Sequence, residues 1–401
     1  MKKKHVIIGA AAAGLGAINK LRMLDPEAEI VCIADEKENP YNKCLLADYM
    51  TDQPNGSKII MMTLEQAGQK NIELRLGQRV IEIMPDNKSV MLNSGEQIFY
   101  DKLLLAMGSS PRKIAIKGGD NLKGMFTFHT LNDIHTIKNY ITDHSVTNAV
   151  VIGAGLSGLE CADALNQLGV SVAIIEKNEH ILSTQLDAEA AQVIEKAISQ
   201  HHILLYKQTV VSEIVGNNSY VSKVILSNGV ELSAQMVIVA AGLAPNTSLA
   251  EKAGIATCYG VLVDEYLQTS SPDIYAAGDL IMIRDHLTGN LIPNCTWPDA
   301  MMQGMTAACN MAGQSKKYVP AAIMTSSAFF GLKFAACGKP NVETQQEWQL
   351  KSDENSCSLF LLSRQGFLLG FNVVGAKADF GALRRLVLTK QSVTLEYLYS
   401  L

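Results

Sequence analysis

A glycine-rich loop set between a short apolar strand and a helix occurs twice in this chain. The first copy reads HVIIGAAAAG over residues 5–14, and the second reads VVIGAGLSG over residues 150–158. In each, an apolar helical pattern follows (15–24 and 159–168), then a second apolar strand (28–34 and 170–175). The second strands end in acid, Asp35 and Glu36 in one and Glu176 in the other. One glycine pattern alone says little. Two, each in full strand–loop–helix–strand–acid order, define βαβ dinucleotide-binding units. The first glycine permits the tight turn. The second position must be small so that the backbone can approach a pyrophosphate, and the third lets helix and strand pack closely. The helix N-terminus then offers N–H groups and partial positive charge to phosphates. The first copy carries Ala11 where the second has Gly155, the smallest departure that position allows.

The repeat extends past the loops. Residues 101–111 (DKLLLAMGSSP) and 237–246 (VIVAAGLAPN) both read as a buried strand running into an Ala-x-Gly turn. Residues 269–279 (TSSPDIYAAGD) form a third strand that ends in Gly278 and Asp279. Residues 72–85 and 89–99 alternate like sheet strands, with a hairpin turn at 93–95. From about residue 320 the character changes. Strands at 356–362 and 367–374 and a helix at 378–388 suggest a small α/β domain.

Composition removes other classes. A length of 401 residues gives two to three domains. A net charge of −5 argues against a chain that grips nucleic acid by neutralising phosphates. With 48% hydrophobic and 18% charged residues, long disorder is not expected. Residues 6–18 are uncharged but fall short of the ~20 apolar residues of a membrane span. Behind Lys2, Lys3 and Lys4 they imitate an export signal. Their interior twin cannot be a cleaved leader, so the run is read as the first phosphate-binding loop. The eight cysteines stand at 32, 44, 161, 258, 295, 309, 337 and 357. They form no zinc, cluster or dithiol spacing, so no metal is expected and a reducing, cytoplasmic setting is.

The order GxAxxG, Ala-Met-Gly, GxGxxGLE, Ala-Ala-Gly-x-x-Pro-Asn and TSxPxIYAAGD resembles the pyridine nucleotide-disulfide oxidoreductases, flavoprotein reductases that use FAD and NAD(P)H. Three further stretches are most similar to NADH:rubredoxin oxidoreductases and the flavoprotein part of nitrite reductases. They are PYNKCLL (40–46), CTWPDAMMQGMTAA (295–308) and FFGL (329–332). The resemblance implies two Rossmann-like domains of glutathione-reductase type, the NAD domain inserted in the FAD domain, and a small C-terminal α/β domain. The expected boundaries are 1–115 and 243–320 for FAD, 116–242 for NAD(H), and 321–401 for the C-terminal cap or interface domain.

By that resemblance FAD is held through Gly9, Ala11 and Gly14, with Asp35 and then Glu36 accepting from its adenosine ribose. Asp279 meets the ribityl–phosphate end; its plain alternative is a helix cap after Gly278. Ala106, Gly108, Gly242 and Gly278 are the turn positions beside the cofactors. The segment from Trp297 to Gly304 would lie along the isoalloxazine, with backbone donors near its N1/C2 edge, unless it is simply core. NADH is held through Gly153, Gly155 and Gly158. A carboxylate at Glu176 accepts from both adenosine ribose hydroxyls and repels a 2′-phosphate, so NADH is expected over NADPH. Glu160 resembles the family glutamate near the nicotinamide, against the reading of a solvated helix carboxylate. Lys43 resembles a cation placed over the flavin, against that of a solvated turn lysine. Asp48 stands where ferredoxin-reductase relatives carry a lysine that pairs with that glutamate.

Cys44 leaves two readings open. Its spacing in Tyr41-x-x-Cys44 is similar to the redox cysteine of coenzyme A disulfide reductases, NADH oxidases and peroxidases. If Asn42 caps a following turn, helix N–H groups and Lys43 favour the thiolate. Leu45 and Leu46 depart from that pattern, and a merely structural cysteine is common. Lys43, Cys44 and Glu160 are therefore the catalytic candidates. The expected activity passes hydride from NADH to FAD and then electrons to a small protein such as rubredoxin. The alternatives are a Cys44-dependent disulfide, peroxide or oxygen reductase, an electron supplier for nitrite reduction, or an NADH-switched binding protein. Expected partners are NADH and a rubredoxin-like acceptor, with a homodimer allowed and neither nucleic acid nor membrane involved.

Overall fold

Both glycine loops leave a strand and open a helix in the computed structural model, which describes residues 2–54, 56–284, 289–293, 296–320, 322–338, 347–353, 355–363 and 365–401. Cys295 and Ala321, the start of one expected segment and one expected boundary, lie outside them. The chain divides into two units: Met1–Leu45, Ser57–Ser110 and Leu243–Ala321, and Leu46–Gly56, Pro111–Gly242 and Ala322–Leu401.

The first unit is built on a parallel sheet ordered Ile274–Ala276, Lys102–Leu105, Lys4–Ile8, Glu29–Ile33, Ile72–Arg75. Its central strands are apolar without alternation, as a sheet covered on both faces requires. The helix Ala12–Leu24 follows the first loop and packs against Trp297–Met311. Glycines let these helices approach closely. A Cβ on Gly304 would lie 1.9 Å from the Ala13 carbonyl oxygen, and one on Gly16 would lie 2.4 Å from that of Met301.

The expected strand region at 72–85 is two elements in different sheets. Ile72–Arg75 closes the parallel sheet, Gly77 turns at φ +68°, and Val80–Met84 begins an antiparallel sheet with Ser89–Leu92 and Gln97–Phe99. The hairpin turn at 93–95 stands where it was expected, with Gly95 at φ +87°.

The second unit repeats the plan. Its parallel sheet runs Leu204–Tyr206, Ser171–Ile175, Asn148–Ile152, Met236–Val239, Met125–Thr127. An antiparallel sheet of Val211–Asn217, Tyr220–Leu226 and Glu231–Ser233 accompanies it. In chain order this whole fold falls between the Lys102–Leu105 and Ile274–Ala276 strands of the first sheet, which is the inserted arrangement expected. The C-terminal sheet belongs to the second unit and is ordered Met324–Phe329, Leu332–Cys337, Leu368–Val374, Cys357–Leu362, Glu347–Ser352. The helices Phe380–Thr389 and Leu395–Ser400 cover it around Phe360, Phe371 and Leu383. The fold is thus two parallel Rossmann-like sheets and an antiparallel C-terminal one. Among the described residues no helix is long and apolar enough to cross a membrane.

Candidate functional site

The two loops are constrained in the same way. Gly9 has φ +110° and Gly153 has φ +106°. A Cβ on Gly9 would lie 2.1 Å from the Ala106 carbonyl oxygen, and one on Gly153 would lie 2.4 Å from that of Ala240. Gly14 and Gly158 press on the loops themselves, where a Cβ would come within 1.9 and 2.0 Å of the Gly9 and Gly153 oxygens. The middle position differs, because a Cβ on Gly155 would meet nothing within 4 Å. That openness explains why the first copy can carry Ala11. It also leaves the space in which a pyrophosphate would sit.

The helices opened by these loops lack side-chain caps. Ala11 and Gly155 take extended N-cap conformations and neither offers a capping oxygen. Elsewhere Thr63, Thr130, Asp187, Thr296, Asp379 and Thr394 each accept from the third residue of the helix they precede. The first-turn N–H groups of the two loop helices are thus left for another acceptor. Outer glycines that no larger residue can replace and uncapped amides fit dinucleotide phosphates in both units, and the open middle position adds room for them in the second.

The acids are held differently. Gly9 N–H bonds to the Ile33 carbonyl and Gly153 N–H to that of Ile175, both at 2.8 Å. In this register Glu176 corresponds to Ala34, and Asp35 stands one residue further out. Glu176 is buried, with its carboxylate accepting from the Ala154 and Asn178 N–H groups at 2.8 Å each. Asp35 is exposed. Glu36 accepts from the Tyr41 hydroxyl at 2.6 Å and pairs with the Lys43 ammonium at 3.1 Å.

Lys43 and Cys44 share the 3-10 turn Lys43–Leu45, followed by the helix Leu46–Met50. Cys44 N–H donates to Asn42 Oδ1 at 3.0 Å, and the cysteine is exposed. In the first unit, burial pushes the Asp279 carboxyl up, while the Ser109 hydroxyl at 3.3 Å and the Lys43 charge oppose it. Gly108 turns at φ +62°, and its carbonyl accepts from the Asn246 N–H at 3.0 Å. Asn246 Nδ2 also donates to the Met107 carbonyl at 2.8 Å. Trp297 opens its helix half-buried, behind the Thr296 cap.

In the second unit Glu160 lies on the loop helix Leu156–Gln167. Burial pushes its carboxyl up, the nearby Asp48 charge adds to this, and the Ser327 hydroxyl, donating at 2.6 Å, opposes it. Asp48 is itself pushed up by burial. Gly242 turns at φ +98°, its carbonyl accepting from Arg112 N–H at 3.0 Å. Among the described residues no group of three His, Cys, Asp or Glu side chains could hold a metal ion.

Sequence reasoning gave Ala240, Asn246, Gln303 and Ser327 no role of their own. Ala240 stood inside the second Ala-x-Gly stretch and could have been matched to Ala106. The other three act through hydrogen bonds to distant residues.

A sequence model of the pyridine nucleotide-disulphide oxidoreductases matches residues 3–308. The chain is 33% identical over 325 residues to an NADH oxidase of Methanocaldococcus jannaschii, covering 79% of this chain and 72% of that one. It is 30% identical over 370 residues to the assimilatory nitrate reductase electron transfer subunit of Bacillus subtilis. That match covers 91% of this chain but only 45% of the subunit. Among solved structures, the ferredoxin reductase for the CYP199A2 system of Rhodopseudomonas palustris aligns with a TM-score of 0.90 at 26% identity. It covers 99% of this chain and 97% of that one.

Proposed function

The chain belongs to the pyridine nucleotide-disulphide oxidoreductase family, and from that premise we propose that it passes electrons from NADH to a small one-electron carrier of the rubredoxin or ferredoxin type. It is an FAD-dependent NAD(P)H oxidoreductase. When bound, FAD supplies the conversion from two-electron to one-electron chemistry: hydride in from NADH, two single electrons out, one proton to solvent.

The residues divide the remaining work. Residues 1–115 and 243–320 form the FAD domain, 116–242 the NAD(H) domain, and 321–401 the cap. Gly9, Ala11 and Gly14 bring the first loop against the FAD pyrophosphate, and Gly153, Gly155 and Gly158 do so for NADH. Asp35 accepts from the FAD ribose, and Glu36 holds Lys43, whose cation favours the reduced flavin. Asp279 anchors the ribityl–phosphate end, with Gly278, Ala106 and Gly108 shaping the turns around it and Trp297 packing along the ring. Glu176 selects NADH by its ribose hydroxyls, Gly242 shapes the neighbouring turn, and Glu160 orients the nicotinamide.

The acceptor reading is supported by the near-full-length likeness to a ferredoxin reductase. Stopped-flow mixing of the yellow protein with NADH tests the first half-reaction. The flavin absorbance is expected to bleach, and a flavin that stays oxidised at saturating NADH removes the proposal. Reduction of added rubredoxin or ferredoxin under turnover tests the second half.

A second reading uses Cys44, because it is exposed in an Asn42-anchored turn beside Lys43. Cys44 would then carry electrons to a disulfide, a peroxide or oxygen. C44S separates the two readings, since unchanged reduction of every acceptor eliminates the thiol route.

A further inference from the structure

Gln303 is fully buried in the helix Trp297–Met311. A buried amide must satisfy both of its ends. Its Oε1 accepts the Gly278 backbone N–H at 2.7 Å, and its Nε2 donates to the Tyr318 hydroxyl at 3.3 Å. A backbone N–H can only donate, so the orientation of the amide is forced. Tyr318 is itself buried, and its N–H bonds to the Glu265 carbonyl at 2.7 Å.

The bond lands on a demanding piece of backbone. Gly278 has φ +79°, and a Cβ there would lie 3.1 Å from Ala13 Cβ and 3.7 Å from Ala300 Cβ. The turn is therefore closed in by the first loop's helix on one side and by the helix carrying Gln303 on the other. The next residue is Asp279, and Gly304, beside Gln303, is pressed against the Ala13 backbone. Helix and turn are thus packed tightly against the same first helix.

We propose that Gln303 is a positioning residue for FAD: without touching the cofactor, it locks the Gly278 turn and so fixes where Asp279 points. Tyr318 is the fixed end of this tether. The inference rests on the reading that Asp279 faces FAD.

The test is titration of the apoprotein with FAD, followed by flavin fluorescence, together with thermal unfolding of each apoprotein. Q303L keeps the volume and removes both hydrogen bonds, so the Kd for FAD is expected to rise about tenfold or more. Q303E, protonated when buried, keeps an oxygen for Gly278 and a donor for Tyr318, and is expected to recover most of the affinity. Y318F should weaken FAD by about threefold. A Q303L apoprotein that melts earlier but binds FAD within about twofold of the parent protein makes Gln303 merely structural and overturns the proposal. If Q303L does not fold, the Y318F titration decides, and parental affinity there overturns it. D279N separates the two layers. Unchanged FAD affinity in D279N sinks the underlying reading of Asp279, whereas weakened D279N with unchanged Q303L sinks only the Gln303 assignment.

Discussion

Glu176 accepts a hydrogen bond from the Ala154 N–H at 2.8 Å, which ties the acid that ends one strand to the glycine loop that ends its neighbour. Its other oxygen accepts from Asn178 N–H, also at 2.8 Å. Held this way, the carboxylate proposed to accept from the ribose would be preorganised before the nucleotide arrives. E176A removes both the acceptor and the anchor of the loop. Hydrogen bonds to a charged group are each worth about 1.5–3 kcal/mol, so KM for NADH is expected to rise about 10- to 100-fold. Little change in kcat with a dye acceptor is expected, and the preference for NADH over NADPH should shrink. Steady-state kinetics with both nucleotides checks this, and an unchanged KM would leave Glu176 a purely structural brace.

Two glycine-to-alanine changes should give opposite results. G304A drives a methyl to 1.9 Å from the Ala13 oxygen, where backbone meets backbone and nothing flexible can yield. Its cost is expected to be about 2 kcal/mol or more, seen as an early melting transition with loss of bound flavin. G155A places its methyl in open space, at a residue whose φ of −79° suits alanine. Its melting temperature should match the parent protein, with any effect confined to KM for NADH.

That contrast marks what a sequence can show. The outer glycines of each loop were legible because part of their constraint is local: Gly9 and Gly153 take a positive φ, and Gly14 and Gly158 lie against the carbonyls of Gly9 and Gly153, five residues earlier. The turn at Cys44 was legible for the same reason, since Asn42 and Cys44 are two residues apart. The offset between Asp35 and Glu176 was not, because it depends on which residue each strand ends on. Ile72–Arg75 and Val80–Met84 looked like one alternating run, and only the Gly77 turn assigns them to different sheets. The strands Met324–Phe329 and Leu332–Cys337 passed unread, as did the bonding of Gln303 and Ser327. The hydrogen bonds of these two side chains join residues 25 and 167 positions apart.

Glu160 makes the second unit sensitive to pH. Burial and the Asp48 charge push its carboxyl above the ordinary value of 4.5, against the Ser327 hydrogen bond. The folded protein therefore holds this proton more tightly than the unfolded chain does. The resulting stabilisation is fully present below pH 4.5 and is lost as pH rises through the higher folded value. E160Q keeps a partner for Ser327 and removes the titration. Its melting temperature should exceed that of the parent protein at about pH 8, and the difference should close as pH falls toward the ordinary carboxylate range. Parallel melting curves across that range would contradict the raised carboxyl. D48N removes the neighbouring charge and should move the window toward lower pH.

His5 sets the opposite dependence in the first unit. It is fully buried in the strand Lys4–Ile8, and neither ring nitrogen has a hydrogen-bond partner among the described residues. Burial lowers its pKa from 6.5 to about 4, with Asp25 and Asp101 opposing and Lys3 and Lys102 assisting. Between these values the unfolded chain binds the proton and the folded protein does not. Stability is therefore full above pH 6.5 and falls as pH drops toward 4. At 1.36 kcal/mol per pH unit, this one ring would remove about 3 kcal/mol across the window. H5L fills similar volume with nothing to protonate. Its melting temperature should stay nearly level between pH 6.5 and 5, where that of the parent protein declines. Equal slopes for the two proteins would show that another group governs acid unfolding.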